Sequence, residues 1–224
     1  MKIINVLQGT TEWLEARMGI PTASNFHRIV TPKTLKLSEQ RYDYANRLLA
    51  EWLLGESMEQ DFNNVAMERG TELEDRARAW YSFDRGVEVV EVGFCLNDAG
   101  TAGFSPDGLV GEDGGVEIKV PMAPKCVSYL IGREKLGTEE HRIQVQSTLW
   151  LGQRKWWDCI AWNPAMNRIP ATLVRVEPDK EVFAAFDEHI PTFLSELAQS
   201  KAYLIEKKGC TPKGLPVTAA ELIR

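Results

Sequence analysis

The sequence predicts an α/β fold in which helices flank a mixed central β-sheet. Apolar residues repeat at helical spacing up to about residue 83, alternate at strand spacing between residues 87 and 120, and then show helical and strand patterns in turn up to residue 207. Elements in this order bury their apolar faces when helices cover a sheet. We expect one domain over residues 1–208, followed by a linker and tail over residues 209–224.

Four helices are predicted before residue 84. Thr22 is expected to cap the second helix, and Gly55 follows the third, where glycine commonly ends a helix. In the fourth, Leu73, Ala77 and Trp80 recur at the spacing of an amphipathic helix. The predicted ranges are residues 10–18, 23–30, 38–54 and 70–83.

Three strands are predicted next, and the turns between them indicate an antiparallel meander. An Asn-Asp-Ala-Gly turn separates the first pair and an Asp-Gly-Gly turn the second. The remaining patterns predict a helix, two strands and a long helix. The predicted strands cover residues 87–96, 100–110, 115–120, 156–162 and 169–177, and the two helices cover residues 139–152 and 179–207.

Composition excludes several classes of protein. A chain with 44% hydrophobic and 26% charged residues is not disordered, and four scattered cysteines without a C-x-x-C pair argue against zinc, iron–sulfur or disulfide frameworks. The net charge of −6 does not exclude a nucleic-acid partner, because nucleases concentrate acidic residues at a metal site. The N-terminus lacks a signal peptide and no stretch is apolar enough to cross a membrane, so we expect a cytoplasmic protein without membrane contact.

The segment SPDGLVGEDGGVEIKV, residues 105–120, carries the candidate chemistry. Side chains two apart on a strand share a face, so Glu117 and Lys119 project together while Ile118 turns to the core. The predicted hairpin carries Asp107 beside Glu117. Two carboxylates at one end of a sheet can bind a hard divalent cation, and a neighbouring ammonium can orient or deprotonate a water. This combination predicts hydrolysis of phosphodiesters.

A second interpretation of this segment stays open from the pattern alone. Glu-x-Lys also occurs at residues 206–208 and Pro-Asp at residues 178–179, where a helix and its cap explain them. Only residues 106–119 combine both motifs across a hairpin-length gap. A solvated strand face with one salt bridge would nevertheless show the same residues.

Two further polar side chains could join the carboxylates. Glu74 is offset by one position from the apolar stripe of its helix and could point toward the Asp107 end of the sheet, but taken alone it is better explained as an exposed partner of Arg78 at i+4. Gln144 could hydrogen-bond a water or a phosphate. Near the N-terminus, Arg17 and the helix start at Ser24 could bind an anion, but taken alone they are better explained as plain helix capping and a surface arginine.

The motifs together resemble those of a known family. G-x-x-x-E at residues 70–74, S-P-D-G at 105–108, E-I-K-V-P at 117–121 and Q-V-Q-x-x-x-W at 144–150 are similar in order and spacing to the PD-(D/E)XK nuclease superfamily, in particular to the phage lambda exonuclease family of alkaline exonucleases. Residues 13–24 extend the similarity. The resemblance implies a restriction-endonuclease-like core.

The same resemblance implies an activity and partners. It implies a 5′→3′ exonuclease that uses two Mg²⁺ ions, with Mn²⁺ able to substitute, and leaves 3′ single-stranded overhangs on linear double-stranded DNA for recombination. It also implies a ring-shaped homotrimer, a single-strand annealing recombinase as partner, and a phage or prophage protein in the bacterial cytoplasm. Alternatives are an endonuclease or helicase-associated nuclease of this fold, or a non-catalytic DNA-binding module.

Site residues carry over by position in the motifs. The implied metal ligands are Asp107, Glu117, the carbonyl of Ile118 and Glu74, with Lys119 activating the water and Gln144 assisting. The implied 5′-phosphate pocket contains Arg17, Ser24, Ser105 and Lys125. Lys125 stands where the family has an arginine, and a lysine offers a point charge instead of a planar fork.

Overall fold

The computed structural model describes residues 1–58, 65–136, 140–166, 168–210 and 212, with the side chains of residues 65–72 and 140 outside the description. It confirms the α/β class with a mixed sheet and flanking helices. The helices are α1 (Thr11–Arg17), α2 (Arg41–Leu54), α3 (Val65–Arg85), α4 (Ala123–Leu130), α5 (Glu140–Gly152) and α6 (Lys180–Lys208), with a 3₁₀ helix at Ala23–Arg28. The strands are β1 (Lys2–Ile4), β2 (Phe94–Leu96), β3 (Gly103–Phe104), β4 (Gly108–Val110), β5 (Gly114–Lys119), β6 (Trp156–Trp162) and β7 (Ala171–Val176).

The strands described form two sheets. The first has the order β1-β2-β3 and is antiparallel throughout. The second has the order β4-β5-β6-β7, with β5 and β6 parallel and the outer pairs antiparallel. A parallel pair needs a long crossover, and α4 and α5 supply it between β5 and β6.

The central strands of the second sheet are buried on both faces. Residues on one face of this sheet pack with α3, and the cluster includes Leu73, Ala77, Val116, Ile118 and Ile160. Residues on the other face pack with α5 and include Trp157, Cys159 and Leu149. Because β5 alternates between these faces, Glu117 and Lys119 lie on the side of α5 while Ile118 lies on the side of α3.

Two glycines allow β5 to lie close to β6. A Cβ atom on Gly114 would come within 2.1 Å of the Trp156 ring, and one on Gly115 within 2.3 Å of the Trp157 ring. Any larger residue would therefore displace these tryptophans. The Asp-Gly-Gly segment, predicted as a turn, thus contributes both of its glycines to the strand itself.

The predicted meander is wrong in its middle strand. Residues 100–110 form two short strands, β3 and β4, which belong to different sheets and are separated by Ser105-Pro106-Asp107. Pro106 has no N–H group to donate to a ladder, and the chain changes sheet there. The first predicted strand is also shorter than expected, because only Phe94–Leu96 pairs as a strand and Val90 forms an isolated bridge to Leu109.

Most predicted helices are confirmed, with shifted ends. Thr22 does not cap a helix as predicted: its Oγ1 lies 3.2 Å from Ser24 Oγ and accepts from Asn25 Nδ2, and a 3₁₀ helix follows. Strand β1 and helix α4 were not predicted. The tail prediction falls largely on residues 211 and 213–224, outside the described residues. Among the helices described, none has the length and apolarity that crossing a bilayer requires.

Candidate active site

Asp107 lies in the connection between β3 and β4, directly before β4. The β4–β5 register pairs Gly108 with Val116, and continuing it by one residue sets Asp107 opposite Glu117. Asp107 Oδ2 accepts a hydrogen bond from the Ile118 N–H at 2.5 Å. The hairpin thus brings the carboxylate of Asp107 to the strand that carries Glu117 and Lys119.

Glu117 is the centre of a second set of contacts. Its Oε1 accepts from Lys119 Nζ at 2.7 Å and from Gln144 Nε2, on α5, at 3.0 Å. The Glu117 side chain is 9% exposed, whereas Lys119 is 39% exposed. The carboxylate is therefore held in place by two donors, one of which also reaches the surface.

Glu74 is on α3, close to the same cluster. Its Oε1 accepts from Arg78 Nη2 at 3.2 Å, which is the i+4 pair that the sequence offered as the simpler explanation. The charges of Glu117 and Lys119 also act on Glu74. The structure thus places Glu74 near the other carboxylates and in an ion pair with Arg78 at the same time.

The electrostatics of the cluster are those of crowded, buried carboxylates. Burial raises the pKa of Asp107 well above its ordinary value, and the carboxylates of Glu117 and Glu74 raise it further. Burial also raises the pKa of Glu74, against the opposing effect of Arg78. The Glu117 carboxylate raises the pKa of Lys119, so Lys119 is an ammonium at neutral pH. Positive charge placed beside Asp107 would stabilise its ionised form.

The oxygen ligands of this cluster fit a hard divalent cation. Among the described residues, no three His, Cys, Asp or Glu side chains are grouped closely enough to hold a metal ion by themselves. Mg²⁺, however, usually keeps several waters and binds through one or two carboxylates together with substrate phosphates. Asp107 and Glu117, with the main chain of Ile118 between them, offer that kind of incomplete oxygen site.

The residues predicted to bind a 5′-phosphate are only partly brought together. The Arg17 guanidinium stacks over the Trp13 ring at 3.8 Å, and Trp13 Nε1 donates to Ser105 Oγ at 2.8 Å. Trp13 therefore links Arg17 to Ser105. Ser24 is exposed beside Thr22. Lys125 lies on α4, where its ammonium forms an ion pair with Glu134.

Sequence reasoning missed two residues of this region. Trp13 was present in the N-terminal motif, and its spacing of four residues from Arg17 on one helix could have indicated the stacking. Arg78 was considered only as a partner of Glu74. Its hydrogen bond from Nε to the Asp107 carbonyl, at 2.8 Å, joins elements 29 residues apart and left no signal in the local sequence.

Comparison with known proteins gives a consistent result. A family described as the YqaJ-like viral recombinase domain matches residues 12–155. The alkaline exonuclease LHK-Exo from Laribacter hongkongensis superposes with a TM-score of 0.74 at 32% identity, over 89% of this chain and 98% of that chain, both alone and in complex with dAMP.

A phage-related exonuclease from Haemophilus somnus 129PT shares the fold, with a TM-score of 0.61 at 15% identity over 83% of this chain and 96% of that chain. A search of curated proteins found no similar sequence. The match to residues 12–155 includes Asp107, Glu117, Lys119 and Gln144.

Proposed function

Because the chain belongs to the YqaJ-like viral recombinase family and is a DNA exonuclease of the PD-(D/E)XK fold, we propose that it degrades one strand of linear double-stranded DNA from the 5′ end and leaves 3′ single-stranded overhangs. The observation that carries this proposal is the contact set of Asp107, Glu117 and Lys119. Two carboxylates and an ammonium lie together at one end of the mixed sheet, and the partly exposed ammonium of Lys119 offers contact with a phosphodiester or a water.

In this proposal the carboxylates hold two Mg²⁺ ions, with Mn²⁺ able to substitute. The ligands would be Asp107, Glu117, the carbonyl of Ile118 and Glu74. Such ions stabilise the negative charge that develops on the phosphate oxygens during hydrolysis. The buried position of Asp107, whose pKa burial raises, supports a cation there because a cation stabilises the ionised carboxylate.

The chain's own side chains then orient the reactants. Lys119 Nζ and Gln144 Nε2 both donate to Glu117 Oε1, so they hold that carboxylate in one position. Lys119 is partly exposed and remains protonated beside Glu117. It can donate a further hydrogen bond to the attacking water or to a phosphate oxygen, because an ammonium has three donors.

The end of the degraded strand would be recognised nearby. Arg17, Ser24, Ser105 and Lys125 would bind the terminal 5′-phosphate through charge-assisted hydrogen bonds. The Trp13 contacts support this proposal for Arg17 and Ser105. The Trp13 ring stacks against the Arg17 guanidinium and its Nε1 donates to Ser105 Oγ, and Ser105 is two residues from Asp107. A homotrimeric ring, a single-strand annealing recombinase as partner, and action in the cytoplasm of a bacterial host from a phage or prophage gene complete the proposal.

A strand-specific digestion tests the proposal. Linear duplex DNA labelled on either the 5′ or the 3′ end is incubated with the protein and Mg²⁺, Mn²⁺, Ca²⁺ or EDTA. We expect early release of the 5′ label with Mg²⁺ or Mn²⁺, and DNA binding without turnover with Ca²⁺, whose looser coordination does not fix the water. Early release of the 3′ label would contradict the polarity. Cleavage of covalently closed circular DNA would indicate an endonuclease, and binding without cleavage in every metal would indicate a non-catalytic module.

A further inference from the structure

Arg78 makes more contacts with the carboxylate cluster than any local motif would suggest. Its side chain is 13% exposed, on α3. Nε donates to the main-chain carbonyl of Asp107 at 2.8 Å, and Nη2 donates to Glu74 Oε1 at 3.2 Å. Nη1 donates to Asp75 Oδ1 at 2.7 Å and to Glu91 Oε2 at 3.3 Å. One guanidinium therefore joins two of the candidate metal ligands to each other.

We propose that Arg78 is a positioning residue that sets the affinity of this site for divalent cations. It ties the segment that carries Asp107 to α3 and holds the carboxylate of Glu74 at a fixed place beside it. The proposal rests on the proposed function, because it assumes that Asp107 and Glu74 are metal ligands. Arg78 itself contacts neither metal nor DNA in this proposal.

The segment that carries Asp107 needs such an anchor. Residues 105–107 lie between β3 and β4 and belong to neither strand. Asp107 is held at two points: Oδ2 accepts from the Ile118 N–H, and the carbonyl accepts from Arg78. The preceding carbonyl, of Pro106, accepts from Gln8 Nε2 at 2.8 Å. Without Arg78, the Asp107 carboxylate would keep its hydrogen bond from the Ile118 N–H, but the Asp107 carbonyl would lose the donor that Arg78 provides.

Glu74 depends on the same guanidinium for its direction. It is 30% exposed, and a glutamate on a helix has several accessible rotamers unless a partner selects one. The pair with Arg78 holds Glu74 Oε1 against the same guanidinium that binds the Asp107 carbonyl. A side chain that is already oriented loses less conformational freedom when it binds a cation.

The geometry requires an arginine. The acceptors are one main-chain carbonyl and three carboxylates, and they are met by all three guanidinium nitrogens. A lysine keeps the positive charge but has a single compact donor group, so it cannot hold the carbonyl of Asp107 and the Glu74 carboxylate in the same planar arrangement. Arg78→Lys thus separates positioning from simple neutralisation of acidic charge.

The test compares four forms of the full-length chain: wild type, Arg78→Lys, Arg78→Gln and Arg85→Gln. Arg85 is the matched control, since it lies on the same helix, is 46% exposed and, within the described part of the chain, forms an ion pair with Asp84. Mn²⁺ binding is measured by isothermal titration calorimetry without DNA. We expect both Arg78 variants to bind about tenfold more weakly or worse, as is typical when a residue that orients metal ligands is lost. Arg85→Gln should bind as the wild type does.

A second readout separates positioning from partial unfolding. For Arg78→Lys, the Mg²⁺ concentration at half-maximal digestion should rise by about tenfold, with an unchanged KM for DNA and recovery of the rate at high Mg²⁺. Wild-type Mn²⁺ affinity in Arg78→Gln would overturn the proposal, and so would full recovery of affinity in Arg78→Lys. If either of these results is obtained while the wild type degrades DNA, the role of Arg78 is refuted and the proposed function stands. A wild type that neither binds Mn²⁺ nor degrades DNA would overturn the proposed function as well.

Discussion

The carboxylate cluster and the proposed end-binding group are built in different ways. Asp107, Glu117 and Lys119 are fixed by the register of two paired strands and by hydrogen bonds among partly buried groups. The end-binding group takes one residue each from α1, the 3₁₀ helix, a loop and α4, and Lys125 has its own partner in Glu134. Spacing in the sequence thus determines the first arrangement, whereas the second depends on how separate elements pack.

The largest expected effect is on catalysis, within the strand-built group. Asp107→Ala, Glu117→Ala and Lys119→Ala should each lower the rate of DNA digestion roughly 10²–10⁴-fold, because each removes one part of a unit that acts jointly. The measurement is the initial rate of nucleotide release from linear duplex DNA. Lys155→Ala is the control, since Lys155 is 74% exposed and pairs with Asp113 away from the cluster. Near-normal digestion by any of the three variants would exclude that residue from the site.

A smaller and more selective effect is expected at Arg17. A charged contact to a phosphate contributes about 1.5–3 kcal/mol, which corresponds to roughly 10- to 150-fold in rate. Arg17→Ala should therefore reduce the preference for 5′-phosphorylated over 5′-hydroxyl duplex ends by about that factor and retain slow metal-dependent cleavage. Initial rates on the two substrates measure it, with Arg85→Ala as a control. Equal wild-type rates on both ends would mean that the chain has no end-binding pocket.

The weakest member of the end-binding group is Lys125. Its ion pair with Glu134 is about half exposed on both sides, and solvent weakens the attraction in such surface pairs. Glu134→Gln frees the ammonium and should raise the preference for 5′-phosphate by up to about fivefold, and Lys125→Arg should hold or raise it. Initial rates on 5′-phosphorylated and 5′-hydroxyl duplexes measure this preference for both variants. If both variants behave as the wild type does, Lys125 is a surface lysine.

The smallest expected effect is on thermal stability, where the carboxylate cluster and the end-binding group should differ in their dependence on pH. Burial raises the pKa of Asp107, so between the ordinary pKa of aspartate and the raised one the folded chain binds more protons than the unfolded chain, and its stability falls as pH rises. In EDTA, Asp107→Asn should thus melt above the wild type at neutral pH, with a gain that shrinks as pH falls toward about 4. Ser24→Ala, in the end-binding group, should show no such dependence on pH. A pH-independent difference for Asp107→Asn would contradict the assignment.

These regions also show how far the sequence predicts the structure. Strand β5 and helix α5 were predicted closely, because the Asp-Gly-Gly segment marks the start of the strand and Gly152 marks the end of the helix. The contact of Glu117 with Lys119 follows from their spacing on a strand. The division of residues 100–110 between two sheets was not predicted, because a proline such as Pro106 is compatible with a single edge strand as well as with a break between two strands. The bond from Arg78 to Asp107 depends on where α3 packs against the sheet, and no local pattern contains that information.

The tripeptide Ser105-Pro106-Asp107 has a consequence for the product of the reaction. Its first side chain contacts Trp13, in the proposed end-binding group, and its last belongs to the carboxylate cluster. Two residues of extended chain span at most about 7 Å, and proline restricts the backbone torsion between them. Under the proposed function, the separation between the held terminus and the hydrolysed bond is therefore a fixed length of backbone. Under that proposal, the size of the released fragment is set by this length and does not depend on the base sequence of the DNA.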